Sequence, residues 1–302
     1  MAMTGTAGVI RAGFEEVIPR RRHWARNVGL AIRRNPLGFF GLVVIVALTL
    51  VAIFAPAIAP YRVGDVTAGP QNEAPSWDHF FGTDVSGRDM FSRVVFGARI
   101  SLAVGFLSVM AATALATVLG IFSGYAGGII DNVMQRIVDT ALAFPLILLL
   151  LILAQVLGPS FWTVVFAIAA AIVFPVTRVV RGAVLSERNN QYVEAARALG
   201  ASTPRILFIH IAPNVTALAI ILATTLLGSA ILGEATLSFL GLGIPVPNPS
   251  WGTDVSLARN SFPIHLWWAF FPGAAITLTV LGFNLLGDAM RDIFDPRLRG
   301  RL

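Results

Sequence analysis

Two acidic side chains, Asp139 and Glu234, sit at the margins of long apolar stretches of this 302-residue chain. Ionisable groups at membrane depth are costly and usually face a cavity, which makes both candidates for lining or gating a pathway. Each is close enough to the end of its stretch that snorkelling or a local hydrogen bond would also satisfy it. The remaining chemistry-bearing residues point away from catalysis. Histidines 23, 79, 210 and 265 are far apart and show no metal-ligand spacing. No G-x-S-x-G nucleophile elbow occurs. Leu240-Gly241-Leu242-Gly243 lacks the strand and helix that would frame a dinucleotide fingerprint. Cysteine is absent, which excludes disulfides, thiolate metal sites and a cysteine nucleophile. All 22 basic residues are arginine. Without lysine there is neither a Schiff-base amine nor a P-loop ATPase site. The expectation is a protein with no catalytic residue, no metal site and no cofactor of its own.

The elements that must position Asp139 and Glu234 follow from composition. Hydrophobic residues make up 56% of the chain, charged ones 13%, and the mean hydropathy is +0.77. Intervals 35–61, 100–130, 140–177, 206–233 and 260–287 contain no Asp, Glu or Arg. A helix needs about 20 apolar residues to cross a bilayer. Four intervals therefore hold one span each, and the 38-residue one holds two, divided at the turn signal Leu157-Gly158-Pro159-Ser160. The prediction is an all-α integral membrane protein with six transmembrane helices at 38–58, 98–122, 138–157, 161–181, 215–236 and 267–288. Their interiors are rich in Gly, Ala, Ser and Thr, which lets helices approach closely in lipid. An even number of spans puts both termini on one side. Seventeen of the arginines fall on the side of the termini, so the positive-inside rule makes that side cytoplasmic. Topology thus accounts for the formal charge of +6, and no nucleic-acid partner is implied.

Residues 1–36 form a cytoplasmic N-terminal segment, and residues 37–302 the six-span domain. A cleavable signal peptide is not expected, because the first apolar run starts at Leu37 and follows Glu15 and Glu16. Arg20 to Ile32 can form either a basic amphipathic helix on the membrane surface or a solvated charge cluster. In the tail, Asp288 and Arg291 are spaced as a helical ion pair.

Two connections are long enough to have tasks of their own, the extracytoplasmic loop 60–97 and the cytoplasmic loop 182–213. In the second, Tyr192 to Leu199 are strong helix formers. Gly200 supplies a helix stop, Ser202 and Thr203 can cap a second helix, and Pro204 fits its first turn. Helix, glycine turn and helix then project into the cytoplasm. A short exposed alanine-rich helix suits the groove of another protein, and an idle connector between spans is the alternative.

The order Glu194-Ala195-Ala196, then Gly200, then Pro213 resembles the EAA loop of ABC importer permeases, with His210 and Ala212 where the general pattern has Ile and Leu. Three further stretches resemble the peptide and nickel importer branch. They are Phe81-Gly82-Thr83-Asp84 with Gly87-Arg88-Asp89 and Gly97 to Leu102; Leu232 to Gly243 with Pro249-Ser250-Trp251-Gly252; and Asn284 to Asp288 with Arg291-Asp292 and Asp295-Pro296-Arg297. The Arg-Arg-Asn-Pro before the first span is similar to the DppC/OppC-like member of a permease pair. The resemblance implies the type I ABC importer permease fold in the bacterial inner membrane. It also implies a second homologous permease subunit, two ABC ATPase subunits that carry ATP and Mg, an extracytoplasmic solute-binding protein and surrounding membrane lipid. ATPase coupling is then expected at Glu194, Ala195, Ala196, Arg197, Gly200, Ala201 and Pro213. Di- or oligopeptides are the expected solute, with nickel or another small solute as the alternative. The readings from other classes are a membrane scaffold without transport and an intramembrane enzyme; the latter lacks paired acids or a Ser/Lys dyad.

Overall fold

The computed structural model describes residues 35–261 and 264–294. The surface helix expected near Arg20, and the motif residues Asp295, Pro296 and Arg297, lie outside the described residues. Helix α1 (Pro36–Ile53) starts on a proline, whose missing N–H is no loss in a first turn. It gives way at Phe54 to a single turn, Ala55–Ile58. Helix α2 (Met90–Ala126) is 37 residues long and begins at Asp89, whose side chain accepts the Ser92 N–H at 2.7 Å. It exceeds the expected 98–122 because its first turns are embedded in the folded connection before it.

The third expected span, 138–157, is not one straight helix. Helix α3 (Gly128–Leu142) and helix α4 (Leu146–Leu157) meet at an 89° bend. Pro145 is the cause, since it lacks an N–H and disfavours helical φ/ψ at Phe144. The 12 residues of α4 extend only about 18 Å, against about 30 Å of hydrocarbon. Five described helices are therefore long and apolar enough to cross a membrane, or six if the bent pair counts as one span.

Gly158 and the Ser160 cap start helix α5 (Phe161–Glu187), with the Ser160 hydroxyl accepting the Thr163 N–H at 3.1 Å. Helix α6 (Gln191–Ala198) follows. A one-turn piece, Thr203–Arg205, and a π-helical turn, Ile206–Ile211, then lead into helix α7 (Ala212–Phe239). Helix α8 (Trp251–Ala258) and helix α9 (Trp267–Phe294) complete the described chain. Asp288 and Arg291 are both exposed, and the expected ion pair between them is not formed.

Helices α2 and α5 pack most closely. A Cβ on Gly120 would lie 2.6 Å from Cγ1 of Val180. Helix α7 packs between α2 and α9, α1 packs on α9, and α8 packs against both α7 and α9.

The end of the bundle opposite α6 is closed by a buried polar cap. Asp84 accepts from Arg88 Nε at 2.7 Å, and His79 Nδ1 lies 3.0 Å from Asp89. Asp254 of α8 accepts from Nε of Arg93 on α2 at 2.8 Å, both side chains being essentially without exposure. The Trp251 indole donates to the Val94 carbonyl at 2.9 Å, and that of Trp268 to the Thr83 carbonyl at 2.7 Å. Motifs separated by more than 150 residues thus interlock here.

A buried charge deprived of its partner costs about 3–5 kcal/mol, while an apolar pair of similar volume is often tolerated. Asp254→Ala is expected to lower thermal stability in detergent sharply, and Arg93→Met with Asp254→Leu to recover most of it. A single variant as stable as the parent would contradict this account of the cap.

Candidate functional site

At the other end of the bundle, the segment from Glu187 to Asn214 folds as the sequence suggests. Helix α6 covers eight residues, with Asn190 as its N-cap in extended conformation. Its far end is a Schellman turn. Gly200 donates to the Arg197 carbonyl at 2.9 Å and Ala201 to the Ala196 carbonyl at 3.0 Å, which satisfies two otherwise open carbonyls. Gly200 has a φ of +80°, and an added Cβ would meet no atom within 4 Å. Glycine is therefore required there by backbone conformation, not by crowding.

Val193 is fully buried and anchors α6, while Glu194, Ala195, Arg197 and Gly200 are exposed and Ala196 and Ala201 half-buried. Glu194 stands in the first turn and Arg197 in the last, the placement that the helix dipole favours. Pro213 lies in the first turn of α7. It offers no N–H to the Ile209 carbonyl one turn earlier, which removes an α-helical bond where the π-turn forms. The Ser202 hydroxyl makes no capping bond.

One arrangement here was not legible in the sequence. The Tyr192 hydroxyl donates to the Glu187 carboxylate at the end of α5. In turn, Asn214 Nδ2 at the start of α7 donates to the Tyr192 oxygen at 3.1 Å and to the His210 carbonyl at 3.0 Å. The Tyr192 and His210 rings are 6.1 Å apart. Desolvation and the bond to Glu187 raise the phenol pKa above its ordinary value, so the group stays a donor. The short helix is thus tied to both long helices that flank it. Large apolar side chains stand exposed beside it among the charged ones, with Leu199 88%, Phe208 76% and Ile209 58% exposed. Large exposed apolar patches mark interaction sites.

The two isolated acids are not brought together. Asp139 is exposed and forms an ion pair with Arg178 near the α6 end. Glu234 is fully buried at the cap end, accepting from Ser101 at 3.0 Å and Ser238 at 2.8 Å. Ser101 also accepts the Trp251 backbone N–H at 3.3 Å. Glu234 therefore joins α2, α7 and α8. No group of three or more metal-ligating side chains occurs among the described residues.

Comparison with known proteins adds a second line of observation. Residues 116–300 match the family described as binding-protein-dependent transport system inner membrane component. Residues 24–75 match the N-terminal TM domain of oligopeptide transport permease C. The chain is 43% identical over 268 residues to the dipeptide transport system permease protein DppC of Alkalihalophilus pseudofirmus, covering 89% of this chain and 88% of that protein. It is 40% identical over 274 residues to the oligopeptide transport system permease protein OppC of Bacillus subtilis, covering 91% and 90%.

A non-glycine residue in the left-handed region costs about 1–2 kcal/mol. Gly200→Val is expected to loosen the Schellman turn, read as faster amide exchange at Gly200 and Ala201, with Gly200→Asn intermediate. Unchanged protection in the valine variant would show that the turn does not depend on this glycine.

Proposed function

Because the chain belongs to the inner-membrane permeases of binding-protein-dependent ABC importers, in the branch of the dipeptide and oligopeptide permeases, we propose that it forms half of a heterodimeric pathway importing peptides. It is a multi-pass protein of the bacterial inner membrane, and ATP hydrolysis lies on other subunits of such importers. A second homologous permease supplies the other half, and a solute-binding protein delivers the peptide on the extracytoplasmic side. In this reading both termini and α6 are cytoplasmic and the polar cap faces outward, in keeping with the arginine distribution. The names of the relatives support peptide as the solute class.

The observation that carries the coupling assignment is the exposed helix α6, ended at Gly200 and tied to both α5 and α7 by Tyr192. Two ATPase subunits, holding ATP and Mg, dock on this end of the permease pair. Leu199 and Phe208 offer apolar contact, and Glu194 and Arg197 offer charge of both signs. When ATP binding closes the ATPases, α6 moves with the surface that holds it. Its bonds to Glu187 and Asn214 pass that movement to the α5 and α7 spans, which reopen outward. Hydrolysis and separation of the ATPases restore the inward-facing state.

The test is purification of the tagged chain in mild detergent and reconstitution of the resulting complex in liposomes. ATPases are expected to co-purify, and ATP is expected to drive peptide uptake. Leu199→Glu should release the ATPases. Tyr192→Phe should keep them bound and hydrolysing while the peptide carried per ATP falls several-fold. Uptake per ATP that is unaltered in Tyr192→Phe would remove the transmission role of that phenol, and a complex without ATPases would remove the coupling assignment.

A further inference from the structure

Helix α2 carries two arginines near its outer end, and the fold treats them differently. Arg93 is 1% exposed and paired with Asp254. Arg99, six positions on, is exposed and among the described residues makes neither a salt bridge nor a hydrogen bond. A guanidinium at this depth is costly against hydrocarbon and is normally found facing a cavity or a partner charge.

Arg99 borders two open cavities. One, of about 370 Å³, lies under the outer loops, among Val63, Phe96 and Asn248. The other, of about 390 Å³, continues along α2 to Leu102 and Phe106 and reaches Phe283 of α9. From Phe96 to Phe106 the helix advances about 15 Å. The two cavities meet at Arg99 to make a groove from the loops toward the spans, the upper part of mixed lining and the lower part mostly apolar, with Arg99 the one charged side chain among the described residues that lines either. Ligand sites of a few hundred Å³ are typically apolar with a small number of placed polar groups. A guanidinium fork matches the two oxygens of a carboxylate.

We propose that Arg99 is a solute contact in this groove, where its guanidinium receives the terminal carboxylate of the peptide while the apolar walls receive its side chains. The inference rests on the peptide-importer reading above. The upper cavity lies at the loops, where a peptide is delivered from outside, and a single cation beside apolar walls suits a solute with one anionic end and an otherwise variable body. The phosphate of a phospholipid offers the same anionic oxygens, and the experiment separates the two sources.

The complete importer, with its binding protein, is reconstituted with parent chain, Arg99→Gln or Arg99→Lys. Uptake of a tripeptide with a free C-terminus and of its C-terminal amide is compared at saturating binding protein, in vesicles with and without phosphatidylglycerol. The binding protein is the same throughout, so a change in the carboxylate-to-amide ratio belongs to the permease. Arg99→Gln is expected to lower that ratio about tenfold or more, as the loss of a charge-assisted bond implies, with amide uptake unchanged and Arg99→Lys intermediate. A ratio within about twofold of the parent's overturns the proposal. Equal loss of both peptides overturns it too, and if omitting phosphatidylglycerol has the same effect on the parent, the guanidinium serves a lipid phosphate. Parent vesicles that take up neither peptide would instead defeat the importer reading on which the proposal rests.

Discussion

The capped end of this bundle is held by polar and ionisable groups that have left water. Arg93 with Asp254 and Glu234 with its serines occupy places where an unpaired charge is not tolerated, so each dictates the position of its partner. Because those partners lie on α2, α7 and α8, satisfying the charges fixes the relative placement of three helices. In lipid the hydrophobic effect does not draw apolar helices together, which leaves polar pairing and close backbone contact to do so. Small residues such as Gly120 supply that contact lower in the bundle.

The α6 end is built on another principle. Its helix α6 buries one side chain deeply, Val193, and otherwise holds its place through hydrogen bonds to Glu187 and Asn214. Exposed hydrogen bonds of this kind exchange partners at lower cost than a packed core does. A helix attached in this way can follow a partner surface while remaining connected to the spans. Helix α7 joins the two regimes, since it runs about 33 Å from the π-turn to the serine-bound Glu234. The bent pair α3 and α4 is held differently, with Asp131 paired to Arg181 and Asp139 to Arg178 of α5, and with little buried apolar surface. Only Asp131, Val138, Leu150 and Ala154 are buried along it.

Local signals in the sequence were informative wherever short-range chemistry decides the outcome. Charge-free intervals located the long apolar helices, the turn signal Leu157 to Ser160 marked the break before α5, and Gly200 marked the end of α6 within a residue, whereas the start of α2 at Asp89 lies well before the expected 98. The bend at Pro145 was missed because the hydropathy of 138–157 is continuous, and hydropathy does not register a missing N–H. Glu234 and Asp139 looked alike as acids near the ends of apolar stretches. Burial separates them, because one meets Ser101 from a helix 133 positions away and Ser238 of its own helix, while the other is exposed and meets Arg178.

The sequence by itself determined the class of the protein, its membrane location and the helix, glycine turn and helix of the 182–213 segment, because hydropathy, caps and a positive-φ glycine are properties of neighbouring residues. Only the tertiary structure decided which polar groups pair. Arg93 and Arg99 lie on one helix and read identically as letters. Six positions of helical rotation turn one toward Asp254 and the other toward an open groove. Tyr192 and Asn214 meet across the π-turn that joins the segment after α6 to α7. Such pairings depend on angles and distances between elements, and these follow from the packing of the whole bundle.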